Sequence, residues 1–325
     1  MRPIYVVIFS FLIVFTSCNQ SGKRDKTLVP SSVGNINSLQ IIIPNDLWNG
    51  EVGEAIRNNF AAPTDGLPQD EPLFSINQMT PEVFTGFART NRIFIYVALS
   101  ENENVKLAKN EYAKPQIGAF IKATSQEKLI ELINQNAPQI IDEFHKSEIA
   151  ERQRRTEISM RNTDSLKKDM GVSLKIPSAY RQAKANPDFY WFRKDLKDGE
   201  TNIIIYEVPL NMIMNDSTAV SDIIKIRDSI GSQLMVVEDD ALFITEDAYA
   251  PYLFKTTIDG HFAYETKGTW EIKDAWMGGP FLNYAVKDEK NDRYLILEGF
   301  TYAPATRKRD LQFELESILL SAKLE

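Results

Sequence analysis

Short apolar runs alternate with polar turns along most of this chain, and their spacing switches between strand-like and helix-like periods. Leu39-Gln40-Ile41-Ile42-Ile43-Pro44 predicts a short buried strand. Asn45 or Asp46 is placed to cap a helix over residues 48–60, with Val52, Ile56 and Phe60 on one stripe. Pro63, Pro68 and Pro72 make the next segment a loop, and Thr80-Pro81 starts a short helix. Strands are expected over 93–99 and 116–123, with a turn at Asn102-Glu103-Asn104 between them. Thr124 or Ser125 then caps a helix that reaches Asp169 and would be about 68 Å long. Its Leu129, Ile133, Ile140 and Phe144 form a core-facing stripe, and Pro138 should kink or interrupt it. Residues 148–168 are dense in charge and read as a solvated face, with a partner-binding arm or short coiled coil as the alternative.

Gly171 stops that helix, and the pattern after it returns to strands. Val172-Ser173-Leu174-Lys175-Ile176-Pro177 alternates, and further strands are expected over 189–193, 203–208, 253–258, 261–272, 280–286 and 294–302. Helices are expected over 218–230, with Val220, Ile223, Ile224 and Ile230 apolar, and over 311–324. This order implies an α+β protein: two antiparallel-sheet halves with helices packed on one face, joined by a long helix over about 125–169. The expected division is a leader over 1–17, a tether over 18–38, an N-terminal α+β domain over 39–170 and a C-terminal one over 171–325.

The amino terminus carries a different signal. Residues 4–15 are apolar except for Ser10 and span only about 18 Å as a helix, short of a bilayer core of roughly 30 Å. A charge at Arg2 and the run Phe15-Thr16-Ser17-Cys18 complete the outline of a secretory leader. The segment resembles a bacterial lipobox. That resemblance implies a diacylglyceryl group on the Cys18 thiol, cleavage after Ser17 and acylation of the new amino terminus. The polar run Asn19 to Lys26 suits a tether, and several acyl chains together suffice for lasting attachment to a membrane. Asn19 lacks the acidic character associated with inner-membrane retention, so the outer membrane is expected, facing the periplasm.

Composition narrows the functional classes. The 325 residues include 37 basic and 45 acidic side chains, a net charge of −8 that disfavours nucleic acid as a partner. One cysteine leaves no internal disulfide and no cysteine-clustered metal site.

Several stretches resemble an envelope lipoprotein family known only as domain of unknown function 4837. They are Asp46-Leu47-Trp48-Asn49-Gly50-Glu51-Val52-Gly53, Ala62-Pro63-Thr64-Asp65-Gly66-Leu67-Pro68-Gln69, the Gly171 to Pro177 strand, Asp188-Phe189-Tyr190-Trp191-Phe192-Arg193 and Trp276-Met277-Gly278-Gly279-Pro280-Phe281. The resemblance implies no activity and no catalytic residue. The second half also resembles PsbP/Mog1-like domains in its strand order, which implies a fold and not a function.

Candidate chemistry is sparse. His145 and Glu148 form an H-x-x-E pair at helical spacing, two ligands too few for a metal, so no metal or other cofactor is expected. Asp259-Gly260-His261 reads as a turn between strands, and no G-x-S-x-G elbow accompanies His261. Met277-Gly278-Gly279-Pro280 is no phosphate loop and reads as a tight turn requiring positive φ. Trp191, Trp270 and Trp276 suggest either core packing or an aromatic groove for a glycan or peptide. The expected function is a non-enzymatic binding or assembly module, anchored through Cys18, with an envelope protein or glycan as partner. The alternative is a glycan- or peptide-directed hydrolase using paired carboxylates in an aromatic-lined cleft.

Overall fold

The computed structural model describes residues 29–234 and 242–325. The leader, most of the tether and Cys18 lie outside the described residues.

The first half begins with β1 (Ser38–Ile42), α1 (Asn45–Trp48) and α2 (Glu51–Phe60), followed by β2 (Ser75–Met79) and β3 (Ile93–Leu99). It continues through β4 (Asn104–Lys109), β5 (Ile117–Ala123) and α3 (Gln126–Thr156). Its sheet runs in the order β2-β1-β3-β5-β4. The antiparallel sheet expected here is corrected: β2, β1, β3 and β5 are mutually parallel, and only β4 runs against them. The cause lies in the connections, because α2 carries the chain back across the sheet and lets β2 start at the same end as β1. The apolar face holds Leu39, Ile41, Ile95 and Ile121 against Ile56 of α2 and Ile133 of α3.

The helix expected to reach Asp169 ends at Thr156, and α4 (Asp164–Met170) is separate. It starts on Ser125, whose hydroxyl accepts the Lys128 N–H at 3.3 Å, and passes through Pro138 without interruption. Over 31 residues it spans about 46 Å. Between the helices the chain folds back on itself: Arg161 N–H donates to the Ile176 carbonyl at 2.8 Å. The charge-dense segment is solvated only in part: Glu148 and Glu151 are buried, while Arg154, Glu157, Asp164, Lys167 and Lys168 are exposed.

The second half holds β6 (Val172–Ser173), β7 (Arg181–Asn186), β8 (Phe189–Leu196), β9 (Gly199–Pro209) and α5 (Ala219–Leu234). Then come β10 (Phe243–Thr245), β11 (Tyr252–Ile258), β12 (His261–Ile272), β13 (Gly278–Asp288), β14 (Arg293–Tyr302), α6 (Arg309–Leu319) and β15 (Lys323–Leu324). The large sheet runs β10-β12-β13-β14-β9-β8-β7, with β11 also on β12, and every pairing is antiparallel.

Alternation along the strands serves two cores. Tyr190, Phe192, Ile203 and Ile205 face Leu166 of α4 and Leu315 of α6. Phe189, Ile204, Tyr206 and Phe300 face Ile223 and Ile226 of α5. Helices therefore cover both faces of this sheet, where one covered face was expected; strands apolar on both sides require it.

Two turn expectations separate. Asp259 and Gly260 take φ of 50° and 82° and join β11 to β12 as a hairpin. Gly278 and Gly279 do not adopt positive φ; Asp274 takes that role at 65°. The two glycines are needed for close approach instead, because a Cβ on Gly279 would stand 2.0 Å from the Thr301 carbonyl oxygen.

Candidate functional site

A cleft of about 490 Å³ lies where the halves meet. Its walls come from α3 (Pro138, Ile141, His145), α6 (Gln312, Phe313, Glu316) and the β11–β12 hairpin (Phe254, Glu265, Lys267). The loop over 64–74 contributes Thr64, Gly66, Leu67, Leu73 and Phe74. Small-molecule sites have this size and this mixture of an apolar bowl with a few polar groups.

Gly66 brings the loop to the sheet. It has φ of 79°, and a Cβ there would stand 2.7 Å from Lys267 Cβ, so a side chain would lift the loop from β12. The other end of the loop is held by Glu71, whose carboxylate accepts the N–H groups of Lys308 and Arg309 at the start of α6. Arg309 donates to the Pro72 carbonyl at 2.9 Å. The threonine hydroxyl of Thr64 is buried on the cleft wall and has no hydrogen-bond partner among the described residues.

One chain of polar side chains runs through the cleft. His145 Nε2 lies 3.1 Å from Glu316 Oε2, linking α3 to α6. Lys267 Nζ lies 3.5 Å from Glu316 and 3.1 Å from Glu265. The Tyr284 hydroxyl donates to Glu265 at 2.8 Å. Burial opposes ionisation of Glu316, but Lys267 and His145 outweigh it and hold its carboxyl at about 2. Burial likewise opposes charge on His145 and Lys267, and their carboxylate partners outweigh it and raise both. Glu316 is therefore a carboxylate across the neutral range and cannot serve as the proton-donating acid a glycosidase requires.

His145 and Glu148, paired by spacing in the sequence, point to different places. His145 reaches Glu316, whereas Glu148 receives Arg92 at 2.5 Å and the Asn37 N–H at 2.6 Å. No group of three or more potential metal-ligating side chains occurs among the described residues.

The three tryptophans do not share a groove. Trp270 is buried, stacked on Phe243, and donates to the Thr301 carbonyl at 3.3 Å. Trp191 is half-buried four strands away, roughly 19 Å at the usual strand spacing, and donates to Asn202. Trp276 is fully exposed in the turn between β12 and β13. None of them lines the cleft, where the sequence had marked His145, the Thr64–Leu67 stretch and Phe281 but not Glu265, Lys267 or Glu316; what joins these residues is the meeting of segments more than a hundred positions apart.

No described helix is long and apolar enough to cross a membrane.

No curated protein sequence matches the chain. A structural likeness to the Ran-binding protein Mog1p of Saccharomyces cerevisiae covers 47% of this chain and 90% of that one. At 8% identity and a TM-score of 0.31, it carries no argument about function. Residues 32–157, which include the Trp48 and Gly66 stretches, match the family described as Domain of unknown function (DUF8532). Residues 159–321, half of the chain, match another family, and by that match the chain belongs to Domain of unknown function (DUF4837).

Proposed function

We propose that this protein is a membrane-tethered, non-enzymatic binding module of the bacterial envelope, with its ligand seated in the cleft between the halves. The observation that supports this reading is the cleft itself. Leu73, Phe74, Ile141, Phe281 and Phe313 offer it an apolar lining, while His145, Glu316, Lys267 and Glu265 within it are paired with one another. Such a site holds a ligand without performing chemistry on it. The tether follows from the leader and Cys18: a diacylglyceryl group on the thiol and acylation of the amino terminus would hold the body at the outer membrane, facing the periplasm.

Both parts can be tested on the full chain. Fractionation should place the wild type in the membrane pellet and release Cys18→Ala to the soluble fraction; a wild type already soluble would remove the tether. Native mass spectrometry of protein gently extracted from membranes should show a co-purifying small molecule that is lost in Ile141→Trp. A bare mass for the wild type, or a bound molecule that survives Ile141→Trp, would remove the cleft as its site.

A further inference from the structure

The cleft holds more negative charge than its own cation neutralises. Glu265 and Glu316 are 14% and 11% exposed and share the single Lys267 ammonium. Two carboxylates against one ammonium leave a surplus negative charge in a half-desolvated place, where an unpaired charge is unfavourable. His145 compensates it only when protonated, from 3.1 Å. The remaining charged groups lining the cleft are Arg309, Asp65 and, on the helix of His145, Asp142. Arg309 is engaged by Asp310 and by the Pro72 carbonyl, and Asp142 by Lys146. Arg309 is largely buried but already matched by Asp310, and the exposed Lys146–Asp142 pair is neutral in itself, so neither supplies the missing charge.

We propose that the cleft accepts a small amphipathic cation, whose ammonium takes over beside Glu316 the charge that His145 otherwise supplies. Its apolar body would fill the bowl formed by Leu73, Phe74, Ile141, Phe281 and Phe313. This inference rests on the reading of the cleft as the ligand site and names the ligand's chemistry and its control by pH. Imidazolium and ligand ammonium compete for one carboxylate, so binding releases one proton from His145. Burial disfavours that proton, but Glu316 outweighs it and moves the titration of His145 upward. Affinity therefore rises with pH through that range, by at most about tenfold per pH unit, because a single proton is displaced.

The test uses three probes of one shape: phenylbutylamine, phenylbutanol and phenylbutyrate, titrated calorimetrically into the full chain at about pH 6 and about pH 8. The amine should bind best and tighten severalfold at the higher pH. His145→Gln should bind the amine with little pH dependence, and Glu316→Gln, checked for a single cooperative melting transition, should lose the preference for the amine. Equal binding of amine and alcohol, tighter binding of the carboxylate, or a pH dependence that survives His145→Gln would overturn the cation inference while leaving the cleft as a ligand site. Failure of all three probes to bind would overturn the inference and count against the cleft as well.

Discussion

The Glu71 carboxylate accepts the backbone N–H groups of Lys308 at 2.6 Å and Arg309 at 3.0 Å, so a residue of the first half caps α6 of the second. Helix amino termini carry unpaired donors and a partial positive charge, and a carboxylate satisfies both. Glu71 is 6% exposed, so water does not readily replace it. Glu71→Ala should lower unfolding stability by about 1–2 kcal/mol, and Glu71→Gln by less, because one acceptor oxygen remains. Denaturant midpoints measure both; an Ala variant as stable as wild type would mean that the cap contributes nothing.

Stability should respond to pH through the pair joining α3 to α6. His145 has a raised value in the folded protein, so its contribution is complete below the ordinary histidine value of 6.5 and fades as pH rises through the raised one. Glu316 is held at about 2, so its contribution is complete above the ordinary 4.5 and fades as pH falls towards 2. The two together favour the mildly acidic window between 4.5 and 6.5. His145→Gln should remove the loss on the alkaline side and leave the acid side in place, as read from melting temperature against pH.

The Arg92–Glu148 pair lies wholly inside the first half, with side chains 1% and 0% exposed. Arg92 also donates to the carbonyls of Gly34 and Asn35, so the pair fastens the entering chain to α3. Either single truncation, Arg92→Ala or Glu148→Ala, should destabilise by about 3–5 kcal/mol, because it strands a buried charge. The double change Arg92→Met with Glu148→Leu should lose markedly less. A double variant as weak as the sum of the singles would contradict that explanation.

Two glycines should separate stability from cleft geometry. Gly279→Ala sets a Cβ against a backbone oxygen that cannot rotate away, and should destabilise by about 3 kcal/mol or prevent folding. Gly66→Ala strains a surface loop at positive φ and pushes it from Lys267. It should alter binding in the cleft at a smaller loss of melting temperature. Gly66→Ala binding like wild type would show that the loop does not shape the site.

Much of the helical and strand content was legible in the sequence because local signals agreed with it. Ser125 caps α3 as its position suggested, Gly171 follows α4 at φ of 62°, and Asp259-Gly260 forms the β11–β12 turn. The missed strands have a physical reason. Arg181–Asn186 is a polar edge strand held by backbone pairing to β8, and Asn104–Lys109 is an edge strand on β5 whose Val105 and Leu107 are only half-buried between polar neighbours. Glu148 misled in the opposite direction: a glutamate on a charged helix reads as solvated until Arg92, 56 positions earlier, is seen beside it.

By itself the sequence determined the local choices: where most helices start, where the apolar strands lie, and the α+β class. The apolar amino-terminal run and Cys18 after it, read as a leader, are likewise a purely local signal. Only the tertiary structure decided the parallel order of the first sheet, the covering of both faces of the second, and the cleft between them. Those features depend on contacts between residues far apart in the chain, as His145 with Glu316 and Glu71 with Lys308 show. Local periodicity records which face of an element is buried, but not which distant element buries it.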